Sequence, residues 1–341
     1  MRRGAVVLPA LLPALLTGCA ENSSALNPAG PAAHAIADLT WLFVGVCGAI
    51  YLLVLATAGW AMRRAARRAT DTAPRAVIPP GADRGRLRWI GVAIFATVAV
   101  LSGFVAASYA TDRRLIALET APGVEIKVIG HQWWWEIRYM DPVPSRGFTT
   151  ANEMHLPRGE PARITLSSAD VIHSFWVPNI TGKRDIFPGK EQSISIRADA
   201  AGEWIGRCAE FCGLQHAHMD LAVVVEDRAA FDAWRAAQAA SAIPPESEEE
   251  KRGEQVFSEN NCVICHVVRG SPATGISTTA PDLTHLKSRR MLAAGTVPNS
   301  KGFLGGWVAD PQALKPGVQM PPNPLPPEQF QALLAYLETL Q

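Results

Sequence analysis

Twelve residues, Cys208-Ala209-Glu210-Phe211-Cys212-Gly213-Leu214-Gln215-His216-Ala217-His218-Met219, concentrate soft metal donors. His173 adds an upstream imidazole within Val171-Ile172-His173-Ser174-Phe175-Trp176. Two thiolates, imidazoles and a thioether form a donor set suited to copper. A Cys208–Cys212 disulfide would leave the histidines and the methionine without a role, and four-coordinate zinc does not call for a thioether. A second cysteine pair, Cys262-Val263-Ile264-Cys265-His266, has the spacing of c-type haem attachment. There two thioethers hold the porphyrin and the adjacent histidine reaches the iron. The competing readings, a dithiol redox pair or half a zinc site, lack a strand–helix context and a further cysteine pair. A soft sixth ligand is expected downstream. Met320, in Gly317-Val318-Gln319-Met320-Pro321-Pro322, is favoured over Met291, which follows Arg289-Arg290 in a predicted helix over 286–294. Met/His ligation raises the haem potential.

Other elements must position these residues. The chain has 341 residues, 48% hydrophobic and 18% charged, with net charge +1. That is enough apolar surface for two or three cores, which excludes a largely disordered chain. No domain is strongly basic, so no nucleic-acid partner is expected. Leu39–Met62 and Trp89–Tyr109 carry no charged residue and are long enough to cross a bilayer as helices. Between them lie Arg63, Arg64, Arg67, Arg68, Arg75, Arg84, Arg86 and Arg88 against only Asp71 and Asp83. Arginine-rich short loops stay cytoplasmic, so everything after Arg114 is expected on the outer side. Cys47 falls inside the first span and reads as a small apolar packing residue. Residues 1–18 read as a secretory signal. Leu16-Thr17-Gly18-Cys19 resembles the lipobox of bacterial lipoproteins, which implies a lipid anchor at Cys19. Residues 19–114 thus hold the lipobox cysteine and a transmembrane hairpin.

Beyond 115 the pattern changes to alternation. Val124–Ile129, Arg163–Leu166 and Ser193–Ile196 alternate, and Leu221–Val225 is a short apolar run, with Gly and Pro between them. Short strands separated by turns predict a β-sandwich over 115–229. Arg228–Ala240 is alanine-rich and helical, and 230–245 reads as a helical, proline-ended linker. Residues 246–341 read as a small all-α domain, with an N-terminal helix around 253–258 and a C-terminal one over 328–340 that should cross.

The segment Cys208–Met219 resembles the CuA loop of the cytochrome c oxidase subunit II family, and Gly130-His131-Gln132-Trp133-Trp134-Trp135 resembles the aromatic segment of that family. The resemblance implies a cupredoxin-like sandwich holding two coppers bridged by Cys208 and Cys212. It implies His173 and His216 as ligands of one copper each, Met219 as a weak ligand and the Glu210 carbonyl as another. The Glu210 side chain matches the family's contact to magnesium at the subunit I border. Trp133 matches a surface tryptophan through which electrons enter. The middle of the triplet, usually tyrosine in the family, is Trp134 here. Met320 and its flanks resemble the methionine loop of class I cytochromes c, and Ala280-Pro281-Asp282-Leu283 the loop over the haem's histidine side. No acid stands in Arg86-Leu87-Arg88-Trp89, where many members carry a proton-path glutamate, so no such residue is assigned.

The whole pattern resembles bacterial haem-copper oxidase subunit II with a fused cytochrome c. That implies a two-pass protein of the bacterial inner membrane with both soluble domains outside. Electrons would pass from cytochrome c or a quinol–cytochrome c reductase to haem c, then CuA, then subunit I, where dioxygen is reduced. Subunit III is a further implied partner. Nitrous oxide reductase has a similar copper loop but carries an additional histidine-rich cluster, whereas the eight histidines here are scattered and a helix hairpin precedes the domain. A metal-free quinol oxidase scaffold would not need both cysteines and both histidines.

Overall fold

The computed structural model describes residues 22–68, 82–117, 123–272 and 279–341. The expected signal sequence and Cys19 lie outside the described residues. Two compact units emerge, His34–Ala117 and the remainder.

The first unit is a pair of helices, α1 (Pro31–Arg68) and α2 (Ala82–Ala117). Both are long and apolar enough to cross a membrane. Phe43 and Phe104 stack with ring centroids 3.9 Å apart. Most of the remaining large side chains, such as Leu52, Leu53 and Phe95, lie exposed along them. So much uncovered apolar surface is stable against lipid and unfavourable against water. Each helix runs past the apolar stretch predicted for it. Arg63, Arg64 and Arg67 extend α1 because arginine is a good helix former and suits a helix C-terminus.

In the second unit, β1 (Val124–His131), β2 (Trp134–Met140), β3 (Phe148–Ala151), β4 (Glu153–Pro157), β5 (Ala162–Ser168), β6 (His173–Trp176), β7 (Arg184–Ile186), β8 (Gln192–Ile196), β9 (Gly202–Cys208) and β10 (Asp220–Glu226) build two five-stranded sheets. Their orders are β3-β2-β1-β5-β8 and β4-β10-β9-β6-β7. Alternation does the sorting: Val124, Ile126 and Val128 point inward and are buried, while Glu125 faces solvent. The inner faces meet around Trp135, Tyr139 and Phe175. Tyr139 Oη donates to the His155 carbonyl and accepts from its amide, both at 2.7 Å, so the buried phenol is satisfied. Before α1, Asn22 accepts from Ile205 N–H at 2.8 Å and Ala29 accepts from Asp199 N–H at 2.8 Å. That segment belongs to the sandwich, which its composition did not suggest.

α3 (Arg228–Ala239) buries Phe231 in the sandwich core and stacks Trp234 on His155 with centroids 3.9 Å apart. The first half of the predicted linker is therefore part of the sandwich domain. The rest is held: Arg269 donates to the carbonyls of Gln238 (2.6 Å) and Ala239 (3.3 Å), and the His285 ring bonds the Ala240 carbonyl (3.0 Å).

The C-terminal domain crosses α4 (Glu248–Glu259) with α7 (Pro327–Thr339), each starting earlier than predicted. A capping box between Ser247 and Glu250 starts α4. Gly253 sits at the crossing, where a Cβ would overlap the Ala332 carbonyl and Tyr336. Gly253→Ala should destabilise this domain by about 1–3 kcal/mol through overpacking, read as a lower melting temperature of the C-terminal domain with the sandwich unaffected. The predicted helix over 286–294 does not form. A 3-10 turn (Leu286–Ser288) leads into β11 (Met291–Leu292), which pairs with β12 (Val297–Pro298). Between them Ala293 and Ala294 take left-handed φ of 53° and 56°, despite alanine's helix preference. α5 (Lys301–Ala309) and α6 (Pro311–Leu314) complete the domain.

Candidate metal centre

Cys208 ends β9 and Asp220 opens β10, and these strands pair antiparallel with Arg207 opposite Asp220. The donor-rich stretch is thus one long hairpin loop. On the other side β6 pairs with β9, setting Phe175 opposite Cys208, which brings the remote His173 to the same end.

There Cys208 Sγ and Cys212 Sγ lie 3.8 Å apart and both cysteines are free. His173 Nδ1 is 3.9 Å from Cys208 Sγ, and His216 Nδ1 is 3.6 Å from Cys212 Sγ. The Glu210 carbonyl oxygen is 3.2 Å from Cys208 Sγ, and Met219 Sδ is 3.9 Å from Cys212 Sγ. All six predicted donors converge. Metal–thiolate bonds run near 2.3 Å, so a sulfur pair less than about 4.6 Å apart can share an ion. The set fits a pair of soft metal ions with one imidazole at each flank. His218 Nδ1 instead bonds Gln215 Oε1 at 2.7 Å.

Hydrogen bonds orient the donors. His173 Nε2 donates to Asp170 Oδ1 at 2.8 Å, which leaves Nδ1 as the lone-pair nitrogen facing the sulfurs. Asp170 also accepts from the amides of Val171 and Gln132, each at 2.6 Å. Burial would raise its carboxyl, but these bonds outweigh burial and hold it below the ordinary value. Burial would lower His173, and its bonds to Asp170 and Cys208 raise it instead. The contact with Cys212 pulls the Cys208 thiol down, and the same contact pushes the Cys212 thiol up. Asp170 was not anticipated from the sequence. An aspartate three residues before His173 was the available signal. Asp170→Asn should weaken metal affinity by about 10–100-fold, measured by chelator competition.

Trp133 lies in the β1–β2 turn. Its Nε1 donates to the Cys212 carbonyl at 3.1 Å, and Gln132 Nε2 donates there at 2.7 Å. It is only 9% exposed, so the expected surface tryptophan is covered. The C-terminal domain covers it. Lys315 Nζ donates to the Trp133 carbonyl at 2.9 Å, a contact that no motif announced. Burial pulls the Lys315 ammonium down to about 7, opposed by Asp220.

In the C-terminal domain Cys262 opens a 3-10 turn and His266 N–H bonds the Cys262 carbonyl at 2.9 Å, so the motif is folded compactly. His266 Nδ1 donates to the Pro281 carbonyl at 2.8 Å, leaving Nε2 to bind a metal. Burial lowers His266 and favours that neutral form. Gln312 Nε2 bonds the carbonyls of Val318 (2.8 Å) and Met320 (2.9 Å) and fixes the methionine loop. Met291 is instead in the small ribbon, opposite Pro298.

A cupredoxin-like domain joined to a cytochrome c domain, behind two membrane-length helices, defines a membrane-bound electron-transfer protein. Residues 142–227 match the model for the cytochrome c oxidase subunit II periplasmic domain, and 250–341 match that for cytochrome c. Cytochrome c oxidase subunit 2 of Alkalihalophilus pseudofirmus is 34% identical over 96% of this chain and 94% of its own length. That of Bacillus subtilis is 30% identical over 98% of this chain and 97% of its own. The crystallised periplasmic domain of cytochrome oxidase subunit II from Bradyrhizobium japonicum is 29% identical, covering 35% of this chain and 95% of that one, with TM-score 0.33. The chain belongs to the cytochrome c oxidase subunit 2 family. It is a two-pass membrane component of an oxidoreductase complex, associated there with subunit I.

Proposed function

We propose that this chain receives electrons at its C-terminal haem domain and relays them through the binuclear copper site to subunit I. When bound, haem c and CuA supply one-electron redox centres. Cys262 and Cys265 would anchor the haem, and His266 and Met320 would hold its iron. Cys208, Cys212, His173, His216, Met219 and the Glu210 carbonyl would hold the coppers. The observation that carries this reading is the 3.8 Å sulfur pair with an imidazole on each side. The Glu210 side chain is the proposed magnesium contact toward subunit I. Subunit III belongs to the same assembly, and the donor is cytochrome c or a quinol–cytochrome c reductase. The arginine-rich loop faces the cytoplasm and both soluble domains face outward, with Cys19 as a lipid anchor.

The ligand donors leave strand ends and loops of a rigid sandwich, so neither oxidation state needs the backbone to move, which favours fast electron transfer. Metal and haem analysis of the purified chain tests the proposal. Two coppers and one c-type haem per chain are expected. Zinc in place of copper, or a Cys208–Cys212 disulfide, would overturn it.

A further inference from the structure

We propose that Lys315 is a latch that seats the haem domain on the Trp133 face of the copper domain, a positioning role that rests on the relay proposed above. Lys315 is 2% exposed. Its ammonium donates to the carbonyls of Trp133 (2.9 Å), His218 (2.6 Å) and Ala293 (2.8 Å). An ammonium has three donors and no acceptor, and here three carbonyls match it. Two belong to the copper domain and one to the haem domain, so the set is complete only when the domains are seated. Without the ammonium, one buried and two part-buried carbonyl oxygens lose a partner at once.

The surroundings are shaped for the same contact. Ala293 and Ala294, held in the unfavourable left-handed region, present successive carbonyls at the interface: that of Ala293 to Lys315 of the same domain, and that of Ala294 across to the Asp220 amide, 3.0 Å away. Gln215 Nε2 donates to the Pro316 carbonyl at 2.7 Å. Gly317, with φ of 91°, lets the chain lie against Leu214 and the Trp133 ring, where a Cβ would come within 2.8 and 3.7 Å. Val318 then packs on the sandwich core. Two residues later comes Met320. The latch therefore fixes the segment between the proposed haem ligand and the tryptophan bonded to the Cys212 carbonyl. It also closes the Trp133 face to a donor arriving from solution.

The test uses the full chain, loaded with copper and haem, carrying Lys315→Met, which keeps the stem and removes the ammonium. Hydrogen exchange of the amides in 213–219 and 293–297 should accelerate by about tenfold or more, while exchange in β5 and β8 stays at the wild-type rate. The haem potential and the copper resonance should be unchanged. Electron transfer from flash-reduced haem to copper should slow by about as much and become viscosity-dependent, because the domain must first re-dock. Lys315→Arg keeps the charge, but its planar fork cannot meet three converging carbonyls. It should show a smaller acceleration and serves if the methionine variant fails to load. Wild-type exchange in both segments of a loaded variant would overturn the latch. Accelerated exchange with unaltered electron transfer would keep the latch and remove the relay instead.

Discussion

Cys212→Ser eliminates the mixed-valence signal of a binuclear copper site in electron paramagnetic resonance, and copper content falls to at most one per chain. The expectation follows from position. Cys212 Sγ is the shared neighbour of three donors: Cys208 Sγ at 3.8 Å, His216 Nδ1 at 3.6 Å and Met219 Sδ at 3.9 Å. A serine hydroxyl is a hard donor that binds copper poorly and does not replace a bridging thiolate. The His216 side of the site then has no anchor, while the His173–Cys208 side keeps its aspartate-oriented imidazole. Cys208→Ser should give the mirror-image result, leaving copper on the His216 side. The backbone should tolerate either change, because the loop is also fixed through the Cys212 carbonyl by Gln132 and Trp133. Retention of the wild-type resonance in either variant would mean that the sulfurs do not bridge.

What could be read in the sequence was what depends on residue type at short range. The alternation of β1, β5 and β8 survives in the structure because each strand has one face in the core. The donor loop was legible because one hairpin holds every candidate donor but His173. Tertiary contacts were not legible. Residues 286–294 have helical composition, yet Ala293 and Ala294 turn left-handed to present carbonyls to Lys315 and Asp220. The intrinsic preference of alanine is a fraction of a kcal/mol per residue, less than a well-made buried hydrogen bond. Trp133 is expected at the surface by family resemblance, yet it is buried, bonded to the Cys212 carbonyl and met by Lys315 and Gly317 of the C-terminal domain. Lys315 has no motif, since the carbonyls that select an ammonium exist only after both domains fold.

Met320→Leu should lower the haem potential by on the order of a few tenths of a volt, since axial ligands tune c-type potentials over that range. Two methionines compete in the sequence, and they stand in different settings. Met320 sits in a loop that Gln312 ties at two carbonyls and that prolines 321 and 322 stiffen, so its side chain is held at the cost of little further entropy. Met291 is committed to the β11–β12 ribbon, with the Glu153 carboxylate taking the neighbouring Arg290 amide at 3.1 Å. Met291→Leu is therefore the matched control and should leave the potential unchanged. Leucine keeps the apolar volume at either position, so a difference between the variants reports ligation and not packing. With Met320 replaced, copper loading should remain at the wild-type level, because the donors of the sandwich are untouched. Copper reduction by a physiological donor, followed by stopped flow, should nevertheless fall by about tenfold or more, as expected when an upstream centre becomes too stable in its oxidised form. Wild-type copper reduction in Met320→Leu would place the haem domain on a side branch. An unchanged potential there, with a lowered one in Met291→Leu, would move the ligand to the ribbon.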